Sequence, residues 1–233
     1  MIHVRQFRYA SDNLGYLVHD TREAMAIDGG AVDEMVAFSQ AHGLSIRYAA
    51  NTHAHSDHTM GNGELIGRTG AEFIDCRDLA HGAAIRLGRE KLMVYKTPGH
   101  TRDCVTFQAD GALITGDTLF NGTVGNCFSG DLKSFLASIL FLMAFPPATL
   151  IYAGHDYVHE SMAVARSLEP ENPEIERYLA KYRPSLVVST LADELKVNPY
   201  LRFNDSAIVR VLEAHGLPVE TEYDRWHSIM SLG

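Results

Sequence analysis

The sequence predicts an α/β fold in which a strand-rich part is followed by a tail of helices. The first observation is length, because 233 residues fit one large globular domain or a domain with a small appendage. The second is composition, since 46% hydrophobic and 21% charged residues exclude intrinsic disorder and a coiled coil. The third is segment order: short apolar runs between turn signals extend to about residue 157, and helical periodicity dominates afterwards.

Strands and two helices are predicted in the first part of the chain. The helix over residues 32–42 stops at Gly43, and the one over residues 132–145 carries an apolar stripe. The dipeptide Asp110-Gly111 is a hairpin signal between two of the strands. The predicted strands span residues 14–18, 24–27, 45–50, 71–74, 91–96, 104–109, 112–115 and 149–153.

The tail after about residue 157 is predicted to contain helices and no strands. Pro173 and Pro184 punctuate this part of the chain. Its roughly 70 residues are too few to bury much core alone, so we expect the tail to pack on the first part. We divide the chain into residues 1–160 and 161–233. The predicted helices span residues 160–168, 173–182, 189–196, 206–215 and 221–230.

The charge balance and the hydropathy pattern exclude two classes of partner. Twenty Lys and Arg against 29 Asp and Glu give a net charge of −9, which argues against nucleic-acid binding. Residues 134–154 lack charge over a membrane-span length, but Pro146-Pro147 breaks any helix there, so no membrane span is expected.

The N-terminus and the cysteines favour a cytoplasmic location. The first eight residues lack the apolar core that a secretory signal needs. The three cysteines, an odd number without CxxC spacing, do not form a disulfide framework and fit a reducing compartment: Cys76, Cys104 and Cys127.

A histidine-rich run follows the predicted strand 45–50. His53 and His55 stand at positions i and i+2 at the strand end, so they project to one face and can bind the same ion. Asp57 and His58 follow after the chain turns and can face a second ion. Imidazole with carboxylate suits zinc or iron rather than magnesium or calcium, which prefer all-oxygen sites.

Three later residues extend this candidate metal site. His100 lies in a turn after a strand, Asp117 at the end of a hairpin, and His155 at the end of the last predicted strand. Because each comes where a strand gives way to a loop, all can converge on one sheet edge and supply a two-metal site. We expect the other seven of the twelve histidines to be surface or packing residues: His3, His19, His42, His81, His159, His215 and His227.

The pattern His53-x-His55-x-Asp57-His58, with His100, Asp117 and His155, resembles the metallo-β-lactamase superfamily. The resemblance implies an αββα sandwich, in which two mixed sheets pack face to face, helices lie outside and metals bind at one edge. It implies two divalent ions, with zinc expected first and iron or manganese as alternatives. By this resemblance His53, His55 and His100 bind the first ion, Asp57, His58 and His155 bind the second, and Asp117 bridges both.

The tail is similar to the helical domain of hydroxyacylglutathione hydrolases (glyoxalase II). The similar segments are residues 169–172, 189–194 and 198–202, and Gly154-His155-Asp156-Tyr157 resembles that family's Gly-His-Glu-Tyr. The resemblance implies hydrolysis of a thioester of the S-lactoylglutathione type by a metal-bridging hydroxide, with Asp57 and Asp117 as catalytic ligands. Residues 1–160 would then be the catalytic domain and residues 161–233 a substrate-binding region.

The same resemblance implies the substrate contacts. In that family a basic residue and an aromatic one after the bridging Asp hold glutathione, but here Asn126 and Phe128 occupy those positions. Near the C-terminus, the family's Arg-x-x-Lys falls on Arg225 and Ser228. Paired basic groups are the natural partners of glutathione's carboxylates, so the thiol carrier stays open. The expected substrate-contacting residues are Asn126, Cys127, Phe128, Tyr157 and Arg225.

Three other functions compete with thioester hydrolysis. A mononuclear iron enzyme resembling persulfide dioxygenase would keep His53, His100 and Asp117, but residues 121–128 lack that family's Arg-Gly-Cys-Gly-Arg-Thr-Asp-Phe segment. A nucleic-acid hydrolase conflicts with the acidic net charge of the chain. A non-catalytic binding module built on this fold usually loses metal ligands, whereas all seven expected ligands are present here. The expected partner is therefore a small-molecule thioester, and a homodimer is possible.

Overall fold

Two mixed β-sheets form the centre of the computed structural model, which describes residues 2–232. The first sheet has the order β1-β2-β3-β4-β5: β1 (His3–Tyr9), β2 (Asn13–His19), β3 (Glu23–Ile27), β4 (Ser45–Ala50) and β5 (Glu72–Ile74). The second has the order β11-β10-β9-β8-β7-β6: β6 (Ala83–Leu87), β7 (Glu90–Lys96), β8 (Val105–Ala109), β9 (Ala112–Gly116), β10 (Leu150–Ala153) and β11 (Ser189–Thr190). The parallel pairs are β3–β4 and β4–β5 in the first sheet and β9–β10 in the second.

Helices cover the outer faces of the sheets. They are α1 (Val32–Ala41), α2 (Ser56–Thr59), α3 (Asn62–Thr69), α4 (Leu132–Met143), α5 (Val158–Leu168), α6 (Glu174–Lys181), α7 (Leu191–Val197), α8 (Ser206–Ala214) and α9 (Glu222–Met230). Within residues 2–232, no helix is both long enough and apolar enough to cross a membrane.

The alternation of side chains along the strands explains the layers. In β3, Met25 and Ile27 join the core between the sheets, while Ala24 and Ala26 pack against α1 and α3. In the second sheet Ile114 faces the same central core, and Leu113 packs outward with α4. The order of layers is helix, sheet, sheet, helix, which confirms the αββα architecture.

The eight predicted strands are all present, with bounds within one residue of the expected ones. Strands β1 and β6 were not expected. The sequence of β1 alternates polar and apolar residues at a sheet edge, and its burial alternates with them. The short helices α2 and α3 were also not among the predicted elements.

The expectation that strands end after residue 157 is wrong. Ser189 and Thr190, which were assigned to a helix over 189–196, form β11 and pair with Ile151 and Leu150 of β10. Helix α7 begins only at Leu191, because the Thr190 side chain caps it by accepting a hydrogen bond from the Asp193 amide. The tail therefore supplies an edge strand to the second sheet.

The tail packs on the first part of the chain as expected. The fully buried Trp226 of α9 donates a hydrogen bond through Nε1 to the Leu132 carbonyl at 3.0 Å and contacts the Phe135 ring edge-on. The boundary predicted at residue 160 falls inside α5, which begins at Val158. The exact division of the chain at residue 160 stays a prediction.

Candidate metal centre

The chain segments that follow four strands meet at one edge of the sandwich. Strand β4 leads into His53 and His55, and the short helix α2 then carries Asp57 and His58. In the second sheet His100 follows β7, Asp117 follows β9, and His155 follows β10. Glycine allows the close approach here, since a Cβ on Gly154 would stand 2.1 Å from Asp117 Oδ1.

The first group of possible ligands consists of His53, His55, His100 and Asp117. His55 Nδ1 is 2.9 Å from His53 Nε2 and 3.0 Å from His100 Nε2. Asp117 Oδ2 is 3.4 Å from His100 Nε2 and 3.9 Å from His53 Nε2. Three ring nitrogens and one carboxylate oxygen thus point at a common centre.

The second group consists of Asp57, His58 and His155. His155 Nε2 is 3.2 Å from His58 Nε2 and 3.3 Å from Asp57 Oδ2. Asp117 also reaches this group, with Oδ1 3.3 Å from His58 Nε2 and Oδ2 3.6 Å from His155 Nε2. The carboxylate of Asp117 therefore lies between the two groups.

Hydrogen bonds at Nδ1 orient four of the five histidines. His100 Nδ1 donates to the Asn126 carbonyl at 2.9 Å, and His53 Nδ1 is 3.2 Å from Thr52 Oγ1. His58 and His155 Nδ1 face carboxylates of Asp28 and Asp12, each at 3.0 Å. Thr52 Oγ1 donates its proton to Asp28 Oδ2 at 2.8 Å, so it accepts from His53. This network assigns a proton to Nδ1 in these four histidines and directs each Nε2 toward the centre, where it can bind a metal.

The donor set fits metal ions. Ring nitrogens face one another at 2.9–3.2 Å, an arrangement that a metal ion between them would stabilise. A tetrahedral ion with Zn–N bonds of about 2.0–2.1 Å would hold its ligands about 3.3 Å apart, close to the observed spacings. Asp117 Oδ1 is buried without a hydrogen-bond partner, as expected of an oxygen that binds a metal.

The electrostatics of the two groups differ. Burial, aided by the neighbouring His58, lowers the pKa of His53 to about 4, although Asp117 opposes this. Burial also lowers the pKa of His100. For His58, burial also lowers the pKa, but the carboxylates of Asp28 and Asp117 outweigh burial and raise the pKa to about 11. The second group therefore favours a positive charge among its ligands more strongly than the first.

The predicted substrate residues occupy unequal positions. Phe128 is 68% exposed, with its ring 5.2 Å from the His100 ring and 5.9 Å from the His55 ring. Tyr157 stacks on His155 at 5.0 Å. Asn126 contacts His100 through its backbone carbonyl, and its side chain is exposed.

Cys127 and Arg225 have contacts away from the ligand atoms. Cys127 is half-buried, with Sγ 3.5 Å from Ser129 Oγ. The Arg225 guanidinium donates to Asn204 Oδ1 at 2.7 Å and to the Val219 carbonyl at 2.9 Å, so it is hydrogen-bonded within the tail. Ser228 is buried and donates to the Pro218 carbonyl at 2.7 Å.

Sequence reasoning missed the residues that hold the ligands. Asp28 is fully buried and binds His58, the Thr52 amide and the Thr52 hydroxyl, yet it was not among the predicted site residues. Its φ of +52° is a left-handed conformation that is uncommon outside glycine. Asp12 binds His155, and Asn13 donates to Asp57 Oδ2 at 3.0 Å. The one usable signal was an acid directly after a strand in Asp28-Gly29-Gly30.

Family models and solved structures agree with this fold. The model of the metallo-beta-lactamase superfamily matches residues 12–82 and 77–155, and the chain belongs to that superfamily. The model of the hydroxyacylglutathione hydrolase C-terminus matches residues 156–225. The crystal structure of ETHE1 from Myxococcus xanthus is similar, with a TM-score of 0.70 and 25% identity over 97% of this chain and 99% of that one.

Curated relatives narrow the family. The hydroxyacylglutathione hydrolase of Maricaulis maris (strain MCS10) is 34% identical over 226 residues, covering 88% of each chain. The hydroxyacylglutathione hydrolase of Anaeromyxobacter dehalogenans (strain 2CP-C) is 35% identical over 215 residues, covering 84% of each chain. The chain belongs to the hydroxyacylglutathione hydrolase family.

Proposed function

We propose that this chain is a metal-dependent thioester hydrolase of the hydroxyacylglutathione hydrolase type that works with two divalent ions. The observation that carries the proposal is the position of Asp117, whose carboxylate lies 3.3–3.9 Å from four histidine nitrogens drawn from both ligand groups. A carboxylate shared in this way suits two adjacent ions. The relatives named hydroxyacylglutathione hydrolase support the choice of thioesters as substrates.

The proposed ligands follow the two groups. His53, His55 and His100 would hold one ion, and Asp57, His58 and His155 the other, with Asp117 between them. Ions bound there would act as Lewis acids and lower the pKa of a water ligand toward about 7. Zinc is proposed first because five imidazoles and two carboxylates suit it, and iron or manganese would suit the same donors.

The chain's own residues orient this chemistry. Asn13 fixes Asp57 by donating to its Oδ2, and Asp57 keeps a side chain that is 44% exposed at the opening of the second group. The carbonyl of Asn126 holds His100 in the orientation that directs its Nε2 to the first group. Hydrogen-bonded partners of this kind keep ligand geometry within the narrow range that catalysis needs.

The substrate would approach between Phe128 and Tyr157. Phe128 borders the first group and Tyr157 borders the second, so these aromatic rings flank the proposed reaction centre. We propose that Asn126, Cys127, Phe128, Tyr157 and Arg225 contribute to substrate binding, and that residues 161–233 shape this region. Glutathione is the first thiol carrier to test. The cytoplasmic location and the homodimer also stay predictions.

Metal analysis combined with a panel of thioesters tests the proposal. Purified protein should carry two divalent ions per chain and hydrolyse S-lactoylglutathione or a thioester of another thiol. Protein with two ions bound that hydrolyses no thioester in the panel would refute the proposed function.

Persulfide oxidation is the second candidate function. The observation that favours it is the first ligand group, because His53, His100 and Asp117, which such an iron enzyme would keep, lie together there. We propose hydrolysis first because the second ligand group is complete and its histidines are held by carboxylates. Oxygen uptake with glutathione persulfide, together with a single iron per chain, would favour the oxygenase instead.

A further inference from the structure

A buried carboxylate outside the metal centre joins the tail to the loop that follows Asp117. Glu194 of α7 is fully buried and accepts four hydrogen bonds. Its Oε1 accepts from Tyr178 Oη and Ser189 Oγ, both at 2.6 Å. Its Oε2 accepts from the Gly122 amide at 2.8 Å and from Asn198 Nδ2 at 3.1 Å. Four donors around one carboxylate offset the large cost of removing it from water.

We call residues 118–126 the Asp117 loop. Three consecutive residues of this loop form hydrogen bonds with the Glu194 network. The Gly122 amide binds Glu194 itself, the Thr123 carbonyl accepts from Asn198 Nδ2 at 3.1 Å, and Asn121 Nδ2 donates to Ser189 Oγ at 2.7 Å. Gly122 has a φ of +96°, a conformation that side chains rarely adopt, and a Cβ there would lie 2.5 Å from the Met162 side chain. The loop therefore has a fixed path at the point where Glu194 holds it.

The other side of the Asp117 loop contacts the metal ligands. The Asn126 carbonyl accepts from His100, and the Phe120 ring lies 5.9 Å from the His155 ring and 5.2 Å from the Tyr157 ring. A Cβ on Gly125 would stand 2.0 Å from the Asp117 carbonyl oxygen, so the backbone is packed directly on that ligand. A shift of this loop would consequently move residues that contact both ligand groups.

We propose that Glu194 is a positioning residue that holds the Asp117 loop against the metal centre and so couples the tail to the orientation of His100 and to substrate binding. The expected effect of Glu194 on turnover rests on the proposed function, whereas its expected effect on the conformation of the Asp117 loop does not. Hydrogen bonds to a charged group are stronger than those between neutral groups, so the bond from the Gly122 amide to Glu194 favours one loop conformation.

Three variants separate loop positioning from general stability. Glu194→Leu removes every acceptor. Glu194→Gln keeps the loop bond, because its amide nitrogen can face the Tyr178 and Ser189 hydroxyls, which also accept, while its oxygen faces the Gly122 amide. Tyr178→Phe is the matched control, since it removes a bond to the same carboxylate from the side away from the loop.

Amide hydrogen exchange of residues 118–126, measured on the metal-loaded protein, gives a readout that needs no substrate. For Glu194→Leu we expect exchange of this segment to rise by about 10-fold or more and kcat/KM to fall by about 10-fold, mainly through KM. For Glu194→Gln and Tyr178→Phe we expect both quantities to stay within about 2-fold of the wild type, even where Tm falls.

The proposal is overturned if Glu194→Leu leaves the loop protected, or if the loop loses protection while kcat/KM and KM are unchanged. If Glu194→Leu does not fold, Glu194→Asp replaces it, because it keeps a carboxylate in the buried site but shortens the side chain by one methylene, which separates it from the Gly122 amide. In this second variant, faster amide exchange of residues 118–126 together with a raised KM supports the proposal. Exchange and KM values equal to those of the wild type overturn it. If the wild type hydrolyses no thioester, the proposed function fails, while loop exchange together with zinc affinity still decides whether Glu194 positions the centre.

Discussion

The two ligand groups use similar side chains but are supported by different partners. In the first group, His53 and His100 are held by a threonine hydroxyl and a backbone carbonyl, which are neutral. In the second, His58 and His155 are held by the carboxylates of Asp28 and Asp12. A carboxylate behind an imidazole raises its basicity and its affinity for a cation. The comparison teaches that two ions bound here would occupy chemically unequal sites.

Thr52 connects the two supporting shells. Its amide and hydroxyl both donate to Asp28, and its hydroxyl oxygen accepts from His53. The buried Asp28 thus acts directly on the second group and, through Thr52, indirectly on the first. The pKa of His53 is lowered, whereas the pKa of His58 is raised because His58 contacts the Asp28 carboxylate directly.

Substitution of the shared ligand should have the largest effect. Asp117→Ala removes the carboxylate that reaches both groups, so we expect loss of at least one ion per chain and a fall in kcat/KM of about 10³-fold or more. Steady-state kinetics and metal analysis of the same sample measure both. Full metal content with full thioesterase activity in this variant would show that the two groups work without a bridge.

Changes in the supporting partners should separate the two groups. Asp28→Asn removes the charge behind His58, and we expect the affinity for one ion to fall by about 10–100-fold while the other ion is retained. Thr52→Val is the matched variant. It removes the neutral partner of His53 and one donor to Asp28 but keeps the contact between Asp28 and His58, so it should weaken binding by less than about 10-fold. Competition with a chromogenic chelator measures both affinities.

An equal loss in the two variants would contradict the inequality of the groups. Because Asp28 is buried, its replacement also affects stability, so thermal unfolding of both zinc-loaded variants serves as the control. A drop in Tm without a change in affinity would assign Asp28 to the fold rather than to the metal centre.

Stepwise removal of metal should sharpen the same comparison in the wild type. Because carboxylates support only the second group, a chelator should take the ion of the first group before that of the second, with affinities about 10-fold apart. Isothermal titration of the metal-free protein with zinc would then show two binding events. If the two ions leave together and bind in one event, the coupling of the two sites through Asp117 is stronger than the difference in affinity that the supporting residues create.

The fold was predictable wherever the sequence pattern was local. Strands β4 and β9 are apolar runs between turn signals, and both lie within one residue of their predicted bounds. Strand β11 was not predictable because two residues carry no periodicity, and only pairing with Ile151 makes them a strand. Strand β1 was missed although its exposed His3, Arg5 and Arg8 alternate with more buried residues, a local pattern that is typical of a half-buried strand.

The ligand pattern was visible in sequence, whereas its support was not. The spacing of His53 and His55 on a strand end is a local signal, and the later ligands each follow a predicted strand. Asp12 is 143 residues from His155, so no spacing rule connects them, and only the packing of the two sheets brings them together. For the same reason the sequence placed Glu194 only within a predicted helix over residues 189–196 and gave no sign of its contacts with the Asp117 loop.

The smallest expected effects concern the aromatic rings that flank the two groups. Phe128→Ala removes an exposed ring beside the first group, and Tyr157→Phe removes only a hydroxyl beside the second while it keeps the stacking on His155. An aromatic contact contributes about 0.5–1.5 kcal/mol and one hydrogen bond about 1 kcal/mol, so we expect KM to rise about 2–10-fold in each, with metal content unchanged. If glutathione is the thiol carrier, both KM values should rise with S-lactoylglutathione. If the KM of Phe128→Ala instead rises only with thioesters of uncharged thiols, that result would show that an apolar thiol carrier binds beside the first ligand group and that the acyl end of the substrate binds beside the second.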